Sequence, residues 1–477
     1  MRPGHLSSGV RIFRIPQLAA LATGLALFAS VRAENVVAIG DSLTAEYDTI
    51  PNIPGFPTEA TAYAEVTVPG WVSMSWVEIV ARLRPDDFNF GSYRKLSDPW
   101  VPPRLSGYEF NWGIPGVEAG QYEDFVTSTA LSNPGYFIAR QPLENQLRNR
   151  ADRVVIWLGG NEFRANYGAL YDGGSSDTLI AGLLDDLGRI LNFTRKKSPD
   201  AQIVILTVPD LGATPSKKAA HPDPEKRALV TAATEAANAQ IVELAAKKGV
   251  VVANAYAQTE RLVKDLPTYF GAVQLINDKE ADNDPHYAFT RDGLHPNTPL
   301  QIRIARTIIG AFNAGYSAGI PQITDAEALA FLHINPNEPY YDWIDGYGVA
   351  KRGFLKDPDL DGLTNLVEYA FGLDPSIADA AQLPANLGGP MAGISGDVSV
   401  HYTPDAQRVR HIRVRAQYST DLLSWKPVPI DHVIANADGS FTAVVPPTTG
   451  TIHVRLKVAV IPPGGSTATI VSVVGVQ

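Results

Sequence analysis

Four short segments of this 477-residue chain carry the residue types of a metal-free acyl-transfer centre. Such a centre needs an activated oxygen nucleophile, a base oriented by a carboxylate, and N–H donors aimed at the developing oxyanion. Gly40-Asp41-Ser42-Leu43 offers the hydroxyl. Asp292-Gly293-Leu294-His295-Pro296-Asn297 offers an imidazole three residues after an aspartate, in a loop where the carboxylate can bond the ring and fix its tautomer. Gly116, closing Asn111-Trp112-Gly113-Ile114-Pro115-Gly116, offers an amide free of side-chain obstruction, and Asn161 in Gly159-Gly160-Asn161-Glu162 offers a carboxamide. Each segment alone is weak, since serines after strands are commonly turn formers and Asp-x-x-His is commonly structural. A competing serine sits in Gly315-Tyr316-Ser317-Ala318-Gly319, which fits G-x-S-x-G. That elbow requires a strand before it and a helix after it, and here a helix precedes. The chain has no cysteine, so disulfides, thiolate catalysis and cysteine-based zinc sites are excluded.

The elements that must position these residues are readable from residue 34 to about 315. Residues 35–39, 153–158, 202–207 and 250–252 are short, β-branched runs of the kind buried in parallel sheets. Helical patterns alternate with them. Leu179, Leu183, Leu184, Leu187, Ile190 and Leu191 recur at helical spacing, and Asp223-Pro224 and Gly249 read as the start and stop of another helix. A last helix is expected over 299–312. This alternation predicts an α/β fold with a parallel sheet. It sets Ser42 at the carboxyl end of a strand, where open α/β sheets hold ligands. Leu43 and Thr44 are expected to begin a helix whose N-terminus favours negative charge. Residues 46–108 look like an insertion rich in Pro, Gly, Trp and Tyr. Its Trp71, Trp76, Trp100 and Tyr108 either line a sugar-binding cleft or pack under the loop.

Taken together and in this order, the four segments resemble the four blocks of the SGNH (GDSL-type) hydrolase family over roughly residues 35–315. The resemblance implies a three-layer α/β/α, flavodoxin-like domain that is a serine-dependent carboxylic-ester hydrolase. It implies Ser42 as nucleophile, His295 as base and Asp292 as orienting carboxylate, with no cofactor for catalysis. The Ser42 amide, the Gly116 amide and the Asn161 side chain become the oxyanion hole. Glu162 stands where the family's third block commonly has Asp, and the gap from Ser42 to Gly116 is longer than usual, leaving Gly113 as the rival to Gly116.

Residues 1–33 read as a signal peptide. Arg2, Arg11 and Arg14 give a basic start, residues 18–29 are apolar but too short to span a bilayer, and Ala33 follows as a small residue for cleavage. An anchoring helix is the alternative. The expected address is therefore secreted, periplasmic or cell-surface. After Gly319 the character changes. Residues 320–385 form a connecting segment, and 386–477 turn to short β-type runs that predict a small sandwich. The connector holds Asp357-Pro358-Asp359-Leu360-Asp361-Gly362-Leu363-Thr364-Asn365-Leu366-Val367-Glu368, which fits the D-x-D-x-D-G-x5-E calcium loop. Ligands would be Asp357, Asp359, Asp361, the Leu363 carbonyl, Asn365 through water, and Glu368. A structural Ca2+ clamping the enzyme to the β-domain is expected, with an acidic surface turn as the alternative. Trp425 is expected to fill the sandwich core, with glycan stacking second. The net charge of −10 argues against nucleic acid as partner. Export, the aromatic insertion and the β-domain point to a carbohydrate O-acetylesterase acting on acetylated polysaccharide. A lipase or thioesterase with the same triad is the alternative. A non-catalytic surface or carbohydrate-binding protein would require Ser42, Asp292 or His295 to be missing.

Overall fold

The computed structural model describes residues 33–47, 73–95, 98, 100, 103–104, 106–281, 284–391, 393–464 and 470–476. All but the last residue of the expected signal peptide, and Trp71, lie outside the described residues. Six strands build the central sheet: β1 (Glu34–Gly40), β2 (Phe88–Asn89), β3 (Asn111–Gly113), β4 (Arg153–Trp157), β5 (Gln202–Leu206) and β6 (Val251–Ala253). All pairings are parallel and the order is β2-β1-β4-β5-β6, with β3 beside the last residues of β1. This is a flavodoxin-like order.

Among the helices that cover the sheet are α1 (Trp76–Leu83), α2 (Gly160–Tyr171), α3 (Asp177–Lys197), α4 (Pro224–Lys248) and α5 (Thr298–Tyr316). Strand residues alternate between two cores. Val37, Ile39, Val154, Ile156, Ile203 and Ile205 face α2, α3 and α4. Val36, Ala38, Val155, Trp157, Val204 and Leu206 face α1 and α5. Burial on both faces explains why these strands are continuously apolar. Helix α4 starts and stops as its sequence predicts. The Asp223 carboxylate accepts from the Glu225 and Lys226 amides (2.9 and 3.3 Å), and Gly249 ends the helix in the left-handed region. Ser317 is the exposed left-handed cap at the end of α5, so no strand leads into it.

The C-terminal strands form two four-stranded antiparallel sheets. Val400, Tyr402, Ala443 and Val445 of one share a core with Ile412, Leu456, Val458 and Val460 of the other. The connector is not a free linker between two units. Ile320, Ile323, Leu329 and Leu332 pack into the α/β domain, and Arg84 ties this stretch down through Glu327 at 2.9 Å. Tyr340, Ile344, Phe354, Leu366 and Phe371 pack into the sandwich core. The divide between cores therefore falls between Ile334 and Tyr340. Trp425 is a correction, because it is half-buried outside the core. Its Nε1 donates to the Leu422 carbonyl at 3.1 Å, and the Arg455 guanidinium lies 4.0 Å from its ring centre.

The two units meet at His286, whose Nδ1 lies 2.5 Å from Asp284 Oδ1 and whose Nε2 lies 2.9 Å from Glu338 Oε2. Burial alone would lower its pKa, but the two carboxylates outweigh burial and lift it to about 9. A histidine with a raised folded pKa stabilises fully below its unfolded value, and this contribution fades as pH rises through about 9. The melting temperature of His286→Gln should thus lie a few degrees below wild type at pH 6, and the gap should close by about pH 10. A gap independent of pH would show that the charge on His286 holds nothing together.

Candidate active site

The Gly40-Asp41-Ser42 turn is set by close backbone approach. A Cβ on Gly40 would lie 2.3 Å from Thr44 Oγ1 and 2.9 Å from the Trp157 carbonyl, so only glycine lets β1 end against β4. The chain then turns. Asp41 O accepts from the Thr44 and Ala45 amides (3.1 and 3.0 Å), and Asp41 Oδ1 accepts from the Leu43 amide at 2.9 Å. Among the described residues this is a single turn and not the helix expected after Ser42. The turn leaves Ser42 pointing along the carboxyl edge of the sheet, 5 % exposed.

His295 is brought to it from the other end of the domain. Its loop closes on itself. The Thr290 amide donates to the His295 carbonyl (2.9 Å) and the Gly293 amide to the Thr290 carbonyl (2.8 Å). Asp292 Oδ1 accepts from Thr290 Oγ1 (2.8 Å) and from the Leu294 and His295 amides (2.7 and 3.0 Å), while Oδ2 bonds His295 Nδ1. Burial would raise the Asp292 pKa, but the His295 bond, its charge and the two amides bring it down to about 2. The carboxylate is ionised and accepts only, so in its neutral form the ring carries its proton on Nδ1. Nε2 is left as the acceptor facing Ser42 Oγ at 2.9 Å. Three residues predicted from sequence thus form one hydrogen-bonded chain, Ser42–His295–Asp292.

Of the expected oxyanion donors, Ser42 and Asn161 line the same cleft. Asn161 Nδ2 donates to the Val117 carbonyl at 2.9 Å and approaches Asp41 Oδ2 at 3.5 Å. That bond ties α2 to the residue after Gly116, though Gly116 itself is not among the cleft-lining residues. Gly113 has a different task. Its amide donates to Asn111 Oδ1 at 3.0 Å, and a Cβ there would meet the Ala45 amide at 2.3 Å. Among the described residues, the Ser42 and Gly116 amides have no protein acceptor.

Several supporting residues were not foreseen. Thr290 braces Asp292 as described. Tyr47 Oη donates to the Pro296 carbonyl at 2.9 Å and accepts from Gln301 Nε2 at 2.7 Å, holding the histidine loop from the far side. Glu162 accepts the Ala119 amide, and burial pushes its carboxyl up to about 7. The i to i+2 spacing of Thr290 and Asp292 is a local signal; the partners of Tyr47 and Gln301 are distant and gave none.

The cleft encloses about 640 Å³, part of it open to solvent, and Trp157, Leu211, Phe289, Leu294, Leu300 and Ile304 line it. Of the insertion aromatics, the described Trp76, Trp100 and Tyr108 do not. Trp76 is wholly buried against Phe90. Trp100 donates to the Gly107 carbonyl at 2.8 Å and lies under Arg94, and Tyr108 packs on Tyr93. The packing alternative, not the sugar cleft, describes these three.

In the calcium-loop segment, carboxylate oxygens of Asp357, Asp359 and Asp361 lie within 4.8 Å of one another. Glu368 lies in helix α6 (Asn365–Phe371) and is wholly buried, with neither oxygen hydrogen-bonded. Asp359 Oδ2 and Asn365 Oδ1 are likewise buried without partners. Orphaned oxygens of this kind fit a hard cation. Asn365 Nδ2 donates to the Lys351 and Gly353 carbonyls (2.8 and 2.9 Å), which fixes the loop's ninth position.

This site and sheet agree with what comparison finds. The GDSL-like lipase/acylhydrolase family model matches residues 38–299, more than half of the chain. The chain belongs to this family and is an ester hydrolase. No curated protein matches it. Among solved structures, it is similar to a phospholipase A1 from Streptomyces albidoflavus (14% identity, 59% of this chain and 99% of that one, TM-score 0.32). An extracellular lipase from Streptomyces rimosus shows 16% identity over 58% of this chain and 100% of its own, TM-score 0.32. A carbohydrate acetylesterase from Sinorhizobium meliloti shows 15% identity over 59% and 99%, TM-score 0.27. At TM-scores this low they stand as similarities only. No described helix is long and apolar enough to cross a membrane.

Asn161→Ala should lower kcat by about 10²–10³-fold with little change in KM, the cost of one oxyanion donor. Asp292→Asn should cost on the order of 10⁴-fold. Circular dichroism checks that both stay folded. Near-wild-type turnover in either variant would remove that residue from the chemistry.

Proposed function

We propose that this chain hydrolyses carboxylic esters with Ser42 as nucleophile, His295 as general base and Asp292 as the carboxylate that orients it. The observation that carries the reading is the unbroken bond chain from Ser42 Oγ through the ring to Asp292, opening onto the cleft. Ser42 Oγ attacks the ester carbonyl as Nε2 takes its proton. The oxyanion is held by the Ser42 amide, the Gly116 amide and Asn161, each such donor being worth about 3–4 kcal/mol in the barrier. The alcohol leaves with the proton from His295, and water releases the acyl group by the same route.

The cleft's apolar lining favours an acyl chain longer than acetyl, as in the lipase alternative. The carbohydrate O-acetylesterase reading now draws support from export and the appended sandwich alone, because Trp76, Trp100 and Tyr108 do not line the cleft. Export to the periplasm, cell surface or medium is likewise a proposal, supported by the basic and apolar composition of residues 1–33.

A panel of p-nitrophenyl esters from acetyl to palmitoyl, run beside acetylated polysaccharide, tests both levels. Each methylene buried in the cleft is worth about 0.8 kcal/mol. The butyryl ester, two methylenes longer, should therefore exceed acetyl roughly tenfold in kcat/KM, and Ser42→Ala should abolish all turnover. Preference for acetyl, or for the polysaccharide, would reinstate the O-acetylesterase. Turnover that survives Ser42→Ala would sink the mechanism.

A further inference from the structure

The calcium-loop pattern ends at Glu368, but the carboxylates do not. Eleven positions further on, Asp379 brings a carboxylate oxygen within 4.8 Å of oxygens of Asp361 and Glu368. Asp379 is 9 % exposed, and its Oδ1 has no hydrogen-bond partner. Its amide donates to Asp361 Oδ2 at 3.0 Å, so the backbone itself is drawn against the loop. Asp361 Oδ1 is turned the other way, accepting the Leu363 amide at 2.8 Å. Asp361 thus belongs both to the triplet with Asp357 and Asp359 and to the triplet with Glu368 and Asp379.

An acidic cluster on a surface needs no ion, because water solvates it. Glu368 differs: it is 0 % exposed, and both oxygens lie in the cluster without a donor. Leaving an ionised carboxylate buried and unpaired is costly unless a cation meets it. An all-oxygen donor set drawn from several carboxylates is the chemistry of Ca2+, which takes six to eight such ligands in a flexible shell.

We propose that Asp379 is a further ligand of a Ca2+ site built on the 357–368 loop, and that the ion staples helix α6 to the start of the sandwich. The chain after Asp379 shows why this matters. The Asp379 carbonyl accepts from the Gln382 amide at 2.7 Å, forming a short turn that delivers the chain to the edge strand Ala385–Gly388. That strand pairs with Val398–Tyr402. Helix α6 lies in the sandwich core through Leu366, Val367 and Ala370. All the carboxylates lie in the C-terminal unit, so the staple acts within that unit, not between it and the α/β domain.

The experiment is Ca2+ titration of the full chain by calorimetry after removal of metal with EDTA, for wild type, Asp379→Asn and Asp345→Asn. Asp345 lies outside the cluster, paired with Arg352, so its variant controls for the loss of one negative charge. Wild type and Asp345→Asn should bind Ca2+ alike, and Asp379→Asn should bind at least tenfold more weakly. In wild type, amide exchange over residues 376–388 should slow on adding Ca2+. This second reading does not depend on any variant folding. No Ca2+ binding by wild type, equal affinity in the two variants, or exchange over 376–388 that ignores Ca2+ would each overturn the proposal.

Discussion

Ser42 and His295 are 253 residues apart, and the 2.9 Å contact between them requires the turn at the end of a parallel strand and the loop that precedes α5 to be held against each other. On the serine side the constraint is steric. β1 and β4 run in register from Val36 opposite Arg153 to Gly40 opposite Trp157, and Gly40 lets the two backbones close up where the turn begins. The same register sets Ser42 two residues beyond Gly40 and Asn161 four beyond Trp157, on adjacent strand ends. On the histidine side the constraint is polar. The Asp292 carboxylate holds its own loop by accepting from Thr290, Leu294 and His295 while it orients the ring. One ionised group thus shapes both the loop and the tautomer.

The α/β domain can afford this loop because its anchors are in the core. Asn297 caps α5 by accepting the Thr298 amide at 2.8 Å and also accepts from Ser73 at 2.6 Å, while Gln301 meets the Trp76 amide at 3.1 Å. Helices α1 and α5, which flank one face of the sheet, are therefore locked to each other beside the histidine. The C-terminal unit is organised by a different force. There a wholly buried Glu368 sits among aspartates.

The sequence made the sheet legible because both-face burial forces continuous apolar runs, and residues 35–39, 153–158 and 202–207 had nothing else to be. Helix α4 was legible from Asp223-Pro224 and Gly249, whose capping is local. The triad was legible only from the joint order of the four segments, whose resemblance to the family's blocks implied Ser42, Asp292 and His295, because each segment alone has an ordinary structural use. What was hidden depends on distant partners. Tyr47 and Gln301 are ordinary polar residues until 254 positions are brought together, and Asp379 lies outside any loop spacing. The strand Val273–Lys279 did carry a signal, since Val273 and Leu275 are buried while Gln274 is exposed. The Trp-rich insertion left two readings open, because aromatic rings under a loop and rings along a cleft look alike until packing is known, and the described Trp76, Trp100 and Tyr108 follow the packing one.

The most direct test of the central claim is to react the protein with a serine-reactive fluorophosphonate and locate the adduct by peptide mass spectrometry. The bond chain predicts one adduct, on Ser42, formed rapidly in wild type and slowed by orders of magnitude in a folded His295→Ala variant. An adduct on Ser317, or labelling of Ser42 at the same rate without His295, would contradict it.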